Sequence, residues 1–264
     1  MFDFQGKTAL ITGASTGIGA TFARVLAARG VNLLLTARSE DKLQALAAEC
    51  AVKHQIRTHV LPVDLGQEGA ALQLAQNIQQ SDLQIDILVN NAGFATHGYF
   101  ETLSPARDHE QAILNIVSIV DLTHALIPAM LERGEGVIIN VSSTAAFQPV
   151  PYMAVYGASK AFVLSFSEAL WAEYRKRGLR VLALCPGSTA TPFFDVVGAE
   201  EARVGGTRMP EQVVATALRA IEQGRNSVVD GFANTLQTLS PRFIPRQITA
   251  QISERLMRPR NKVL

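Results

Sequence analysis

The sequence predicts an α/β fold: a doubly wound parallel sheet of seven strands, with helices on both faces, in a single domain. Three observations predict it. Short β-branched or leucine-rich runs recur along the chain, each followed by a segment with helical spacing. Most of these runs are continuously apolar rather than alternating, as strands covered on both faces require. The 264 residues contain no internal repeat, low-complexity run or linker, and that length suits one large α/β domain.

The elements follow in order. A strand over 7–12 runs into a glycine-rich turn and a helix over 18–29, closed by Gly30. Strands beginning at Val31 and Ile56 lead to helices over 40–53 and 68–80. A fourth strand begins at Ile85, and a long apolar helix over 105–133 opens at the Ser104-Pro105 pair. The fifth strand begins at Gly136. A helix over 155–177, closed by Gly178, precedes the sixth strand at Leu179. A helix over 210–223 and a short strand from Ser227 complete the alternation, so the core is expected over 7–230. Ligands on such sheets bind beyond the carboxyl ends of the strands.

Composition narrows the function. Hydrophobic residues make up 48% and charged residues 18%, a globular balance. A net charge of +1 gives no global attraction to nucleic acid. The two cysteines, Cys50 and Cys185, form no CxxC, so neither a disulfide framework nor a metal site is expected and a reducing compartment fits. No apolar stretch approaches 18 residues without a charge or breaker, and the N-terminus lacks a basic leader with a cleavage site. No membrane-spanning helix is expected, and cytoplasmic residence is.

The turn after the first strand reads TGASTGIG, with Gly13, Gly17 and Gly19 in a G-x-x-x-G-x-G spacing and Ser15, Thr16 and Ile18 between and beside them. Glycines there let the backbone approach a pyrophosphate whose charge sits on the helix N-terminus. The second strand ends on Ala37-Arg38, where a chain selecting NAD usually carries an acid. A guanidinium suits a 2′-phosphate, so NADP(H) is preferred and NAD(H) is the alternative; an ordinary surface arginine is the other reading of Arg38. Asp64, followed by Leu65 after the third strand, suits either an adenine amino group or a helix N-cap. Tyr156 and Lys160 lie four apart on one helix face, where an ammonium beside a phenol lowers the phenol's pKa. Alone, that pair also occurs on many solvated helices.

Taken together, TGASTGIG, NNAG (90–93), NVSS (140–143), YGASK and PGSTAT (186–191) resemble, in order and spacing, the short-chain dehydrogenase/reductase family in its single-domain, Rossmann-type form. The resemblance implies a catalytic tetrad: Tyr156 as general acid in carbonyl reduction, Lys160 lowering its pKa and binding the nicotinamide ribose, Ser143 on the substrate oxygen, and Asn115 holding a proton-relay water. It also implies that Asn91, Ala92 and Gly93 line the adenosine side, and that Pro186, Gly187, Thr189 and Thr191 hold the nicotinamide carboxamide. Two departures stand out. Thr16 lies where many NADP-using members carry a basic residue, and Thr189 where valine is common.

The implied activity is NADP(H)-dependent reduction of an apolar ketone or aldehyde, such as an acyl, sterol or aromatic carbonyl. The alternatives are an NAD-dependent alcohol dehydrogenase and a catalytically silent dinucleotide-sensing scaffold. The family is commonly dimeric or tetrameric through helices at 105–133 and 155–177, and a homodimer or homotetramer is expected. A substrate lid is expected over 188–210, where Phe193, Phe194, Val196 and Val197 give it an apolar wall, and Phe94, Phe147, Val150 and Met153 flank the site. Tyr152 reads as pocket wall, and His97 as either a substrate contact or a solvated loop residue. The tail over 232–264 carries Arg242, Arg246, Arg255, Arg258, Arg260 and Lys262 against one acid, Glu254. This basic amphipathic segment is read as a cover over the pocket or a subunit contact, ahead of a membrane surface.

Overall fold

The computed structural model describes residues 2–81, 83–198 and 205–259. Its seven strands are β1 (Thr8–Thr12), β2 (Asn32–Thr36), β3 (Thr58–Val60), β4 (Ile87–Asn90), β5 (Gly136–Val141), β6 (Leu179–Cys185) and β7 (Ser227–Val229). They form one sheet in the order β3-β2-β1-β4-β5-β6-β7, and every neighbouring pair is parallel. The order reverses between β1 and β4, the switch point where the helical crossovers diverge and leave a crevice.

Successive strand residues point to opposite faces, and the core divides accordingly. Ile11, Leu33 and Leu35 join Phe22 and Leu26 of α1 (Gly17–Ala27), Leu43 of α2 (Glu40–His54) and Val213 of the helix over 210–222. Leu10 and Leu34 join Leu74 of α3 (Ala70–Gln80) and Leu122 and Met130 of the helix over 118–133 on the other face. Helices thus cover both faces, which explains why β2 is buried at all five positions.

The long apolar helix is not uniform. It runs as α4 (Pro105–Ala112), a π-helical turn (Ile113–Val117) and α5 (Ser118–Arg133), with Ser104 accepting from the Arg107 N–H at its start. By length and composition Pro105–Arg133 could cross a membrane, contrary to the expectation of no such segment. In this fold half of its apolar window is buried. Ile119, Leu122, Leu126 and Met130 lie inside, which accounts for its hydropathy as a core helix.

The remaining helices are α6 (Ala154–Tyr174), α7 (Phe193–Val197), α8 (Pro210–Glu222), α9 (Phe232–Leu239) and α10 (Arg246–Met257). The tail is therefore two helices, separated at Pro241 and Pro245, neither of which can donate a backbone hydrogen bond. Residues 199–204 of the expected lid, the tail residues Arg260 and Lys262, and the side chains of Val196 and Arg242 lie outside the described residues.

Candidate active site

The glycine turn joins β1 to α1. Gly13 and Gly17 both have positive φ, at 63° and 56°. A Cβ on Gly13 would stand 2.9 Å from the Ala92 Cα, and one on Gly17 would stand 2.9 Å from the Thr191 side chain. Both positions therefore need glycine for conformation and for space. The end of β4 braces this turn. Thr12 Oγ1 accepts from the Asn91 and Ala92 N–H groups at 2.9 and 3.0 Å. The Asn91 amide donates to the carbonyls of Thr12 and Gly13 at 2.9 and 3.2 Å.

This turn forms one end of a cavity of about 380 Å³ that runs along the carboxyl ends of the strands. Ser15, Thr16 and Ile18 line it, as do Arg38, Asp64 and Leu65. Asn91, Ala92 and Gly93 follow, then Ser143, Tyr156 and Lys160. Pro186, Gly187, Thr189 and Thr191 close the far side. Of the residues nominated for catalysis and cofactor binding, Gly19 and Asn115 do not line it. A Cβ on Gly19 would press to 2.4 Å from the Gly13 carbonyl, so Gly19 lets α1 pack on the turn.

Asn115 is fully buried. Its amide donates to the Phe94 carbonyl at 3.0 Å and to Ser159 Oγ at 3.2 Å, and its carbonyl accepts from the Phe94 N–H at 3.3 Å. The π-helical turn aims this side chain inward and ties the loop after β4 to α6. Gly93 keeps the space beside it: a Cβ there would lie 3.0 Å from Asn115 Oδ1 and 3.5 Å from Lys160 Nζ.

Ser142 and Ser143 take different parts. Ser142 is buried and donates to the Lys160 carbonyl at 2.7 Å, fixing α6 to the end of β5. Ser143 is partly exposed to the cavity, and its Oγ accepts from the Ala145 N–H at 3.1 Å. Lys160, only 4% exposed, donates from Nζ to the Val141 carbonyl at 2.9 Å, and its ammonium lies 5.7 Å from the centre of the Tyr156 ring.

The expected lowering of the Tyr156 pKa is corrected by this geometry. Burial pushes the phenol above its ordinary value, and hydrogen bonding from Ser143 pulls it only part of the way back. Burial likewise pushes Lys160 down to about 8. Desolvation dominates the phenol's environment, while Lys160 Nζ is held by the Val141 carbonyl.

Arg38 is 65% exposed on its side chain, and its nearest acid, Glu110, stands 3.9 Å away and is engaged more closely by Arg107. Asp64 caps its own turn, accepting from the Gly66 N–H at 3.1 Å, while still facing the cavity. At the other end, Ser188 is buried, lines the cavity and has no hydrogen-bond partner for its Oγ. A cradle of glycines at one end, an exposed guanidinium beside it and an orphaned hydroxyl at the other fit an elongated phosphorylated ligand such as a dinucleotide.

One wall of the cavity is apolar. Phe193, Phe194, Val150 and Met153 line the cavity, together with Leu256 and Met257 of α10. The Phe193 ring sits 5.7 Å from that of Tyr156. Phe94 also lines it, beneath the Arg107 guanidinium at 4.1 Å, whereas Phe147 does not, and Val197 packs behind the wall. Residues of α10 thus lie against the pocket. Its individual wall residues were not legible, because nothing in their local spacing sets them beside Tyr156, about a hundred positions earlier. Two nominated residues meet α10 and do not line the cavity. Tyr152 donates from its hydroxyl to Glu254 at 2.8 Å, and His97 Nε2 meets the Met257 carbonyl at 2.8 Å.

The family model described as short chain dehydrogenase matches residues 7–202. The chain is 36% identical over 251 residues to the very-long-chain 3-oxoacyl-CoA reductase of Rattus norvegicus, covering 90% of this chain and 77% of that protein. It is 38% identical over 188 residues to hydroxysteroid dehydrogenase-like protein 1 of Gallus gallus, covering 70% of this chain but only 56% of that relative. Among solved structures it is similar to a short-chain dehydrogenase from Sphingobium yanoikuyae in complex with NADPH, at 31% identity and a TM-score of 0.81, covering 90% and 93% of the two chains.

Proposed function

The chain belongs to the short-chain dehydrogenase family and is an oxidoreductase of that family, and on that premise we propose that it reduces an apolar ketone or aldehyde with NADP(H). One observation carries the reading: Ser143, Tyr156 and Lys160 share a cavity with the glycine turn and a largely exposed Arg38.

In this reading the glycine turn and the α1 N-terminus hold the pyrophosphate, Arg38 the 2′-phosphate, and Asp64 and Leu65 the adenine. Asn91 to Gly93 flank the adenosine, Lys160 the second ribose, and Pro186 to Thr191 the carboxamide. When bound, the dihydronicotinamide supplies a hydride for the carbonyl carbon. Tyr156, neutral because burial raises its pKa, donates its proton to the carbonyl oxygen. Ser143 Oγ donates a hydrogen bond to the same oxygen and stabilises the charge that develops there. The Lys160 ammonium stabilises the tyrosinate left behind. Asn115 positions the loop after β4 against α6, and so keeps Gly93 and Lys160 at their spacing.

A large apolar substrate is supported by the wall of Phe193, Phe194, Met153 and Met257, and by relatives named for 3-oxoacyl and hydroxysteroid compounds. Exposed Val117 and Phe162, on the helices expected to pair subunits, support a dimer or tetramer. The testing experiment is a panel of short and bulky ketones with NADPH and NADH in parallel. NADPH-dependent turnover of the bulky members is expected. Dinucleotide binding without turnover of any carbonyl would instead favour a silent scaffold.

A further inference from the structure

The helices α9 and α10 are amphipathic the wrong way round for a soluble monomer. On α9 the buried side chains are Asn234 and Thr238, while Phe232, Leu236 and Leu239 are exposed. On α10 the buried side chains include Thr249 and Ser253, while Ile248, Ile252 and Leu256 are exposed. Phe243, between the helices, is 87% exposed and Phe232 is 82% exposed. Half of the exposed large apolar side chains among the described residues fall within this short tail.

The inward polar face has a structural reason. Asn234 donates to the Asp230 carbonyl at 2.7 Å and lies where a Cβ on Gly187 would come within 2.5 Å of it, so a compact polar residue lets α9 approach the loop after β6. Thr249 closes on the Pro245 carbonyl at 3.4 Å, and Ser253 lines the cavity. The outward apolar face has no such reason inside the molecule. An amphipathic helix normally turns its apolar stripe to the core, and a contiguous exposed apolar surface marks an interaction site.

We propose that this outer face of α9 and α10 docks on an anionic lipid surface. Charge selects that occupant over a second copy of the chain. Arg246 and Arg255 of α10, and Arg258 just beyond it, are exposed. The one acid of the tail, Glu254, is already engaged by Tyr152 and Arg258. A two-fold contact through this face would set arginines against arginines with no acid to match them. An anionic bilayer offers an apolar interior for the phenylalanine and isoleucine side chains and headgroup charge for the guanidinium groups. The cavity opens beside the same face, since Leu256 both lines it and is 59% exposed. Docking there would set the substrate entrance at the lipid boundary.

The test is flotation of the full chain with phosphatidylcholine vesicles, with and without about 30% phosphatidylserine, at low and high salt. The partner experiment uses the double variant Phe243→Glu, Ile252→Glu, neither residue of which lines the cavity. The parent protein is expected to float with the anionic vesicles, and to be released by salt. The variant should lose about tenfold or more in partitioning while keeping its melting temperature and its turnover of a short soluble carbonyl. Failure of the parent to bind anionic vesicles overturns the proposal, as does equal binding by the variant. So does a variant that binds like the parent but sediments as a smaller particle, since the face would then be a subunit contact. Vesicle binding is read without any enzymatic assay, so its failure is separable from failure of the proposed reaction.

Discussion

Tyr156 and Lys160 shift in opposite directions for a single reason: each loses water, and each is held toward its neutral form. A neutral phenol is the state a proton donor needs. Carbonyl reduction is therefore expected to hold its rate across neutral pH, while oxidation of the corresponding alcohol, which needs the tyrosinate, should rise into the alkaline range; opposite slopes in the two pH–rate profiles would count against Tyr156 as the acid. Tyr156→Phe should lower kcat by about a hundredfold or more with dinucleotide affinity retained. For Lys160 the folded-state pKa of about 8 lies below the ordinary 10.5. Below pH 8 both folded and unfolded chains carry the charge and the burial penalty is present in full. As the pH rises from 8 to 10.5 the unfolded chain binds more protons, and stability increases. Lys160→Met is accordingly expected to be more stable at pH 7 by roughly 2–3 kcal/mol, with the gap closing near pH 10 in urea unfolding. The sequence placed these two residues on one helix face. It did not show that burial outweighs their mutual attraction, because the covering groups, Phe193 and the end of β5, come from distant positions.

Among the elements, the return of the chain into α8 is held by a part-buried ion pair. Asp230 is wholly buried and accepts from Arg208 at 2.9 and 3.1 Å and from Thr216 at 2.6 Å. Arg208 also exchanges backbone bonds with Ser188 and Ala190, so the pair ties the approach to α8 to the loop after β6. Arg208→Leu leaves the carboxylate buried without its cation and is expected to cost about 3 kcal/mol in denaturant unfolding. A loss near zero would mean that Thr216 and the backbone suffice. Strand positions and helix starts were legible to within two residues, since apolar runs and caps are local signals. The π-helical turn was not. An inward Asn115 in an apolar helix reads the same with or without an extra residue per turn, and only the contacts with Phe94 and Ser159 distinguish them.

At the scale of the molecule, the parallel order and its reversal between β1 and β4 put the glycine turn, Arg38, Ser143 and Tyr156 along one crevice. That convergence was legible because the glycine turn, Arg38 and Ser143 each follow a strand end, strand ends gather on one side of such a sheet, and Tyr156 opens the helix that comes next. The apolar wall was less so, being assembled from the β4 loop, the approach to α6, α7 and α10. Cofactor choice is a property of the whole crevice with Arg38 at its end. Arg38→Asp is expected to shift the NADPH/NADH preference in kcat/KM by tenfold or more toward NADH, roughly the loss of one strong charge-assisted contact; an unchanged ratio would remove Arg38 from the site. The central claim, that this crevice reduces a bulky apolar carbonyl through Tyr156, is tested most directly by stopped-flow oxidation of NADPH with a long-chain 3-oxo compound, comparing the parent protein with Tyr156→Phe. Rapid, substrate-dependent oxidation by the parent and its near-abolition in the variant, with NADPH bound equally by both, is the result expected. Equal oxidation rates in the two proteins would contradict it.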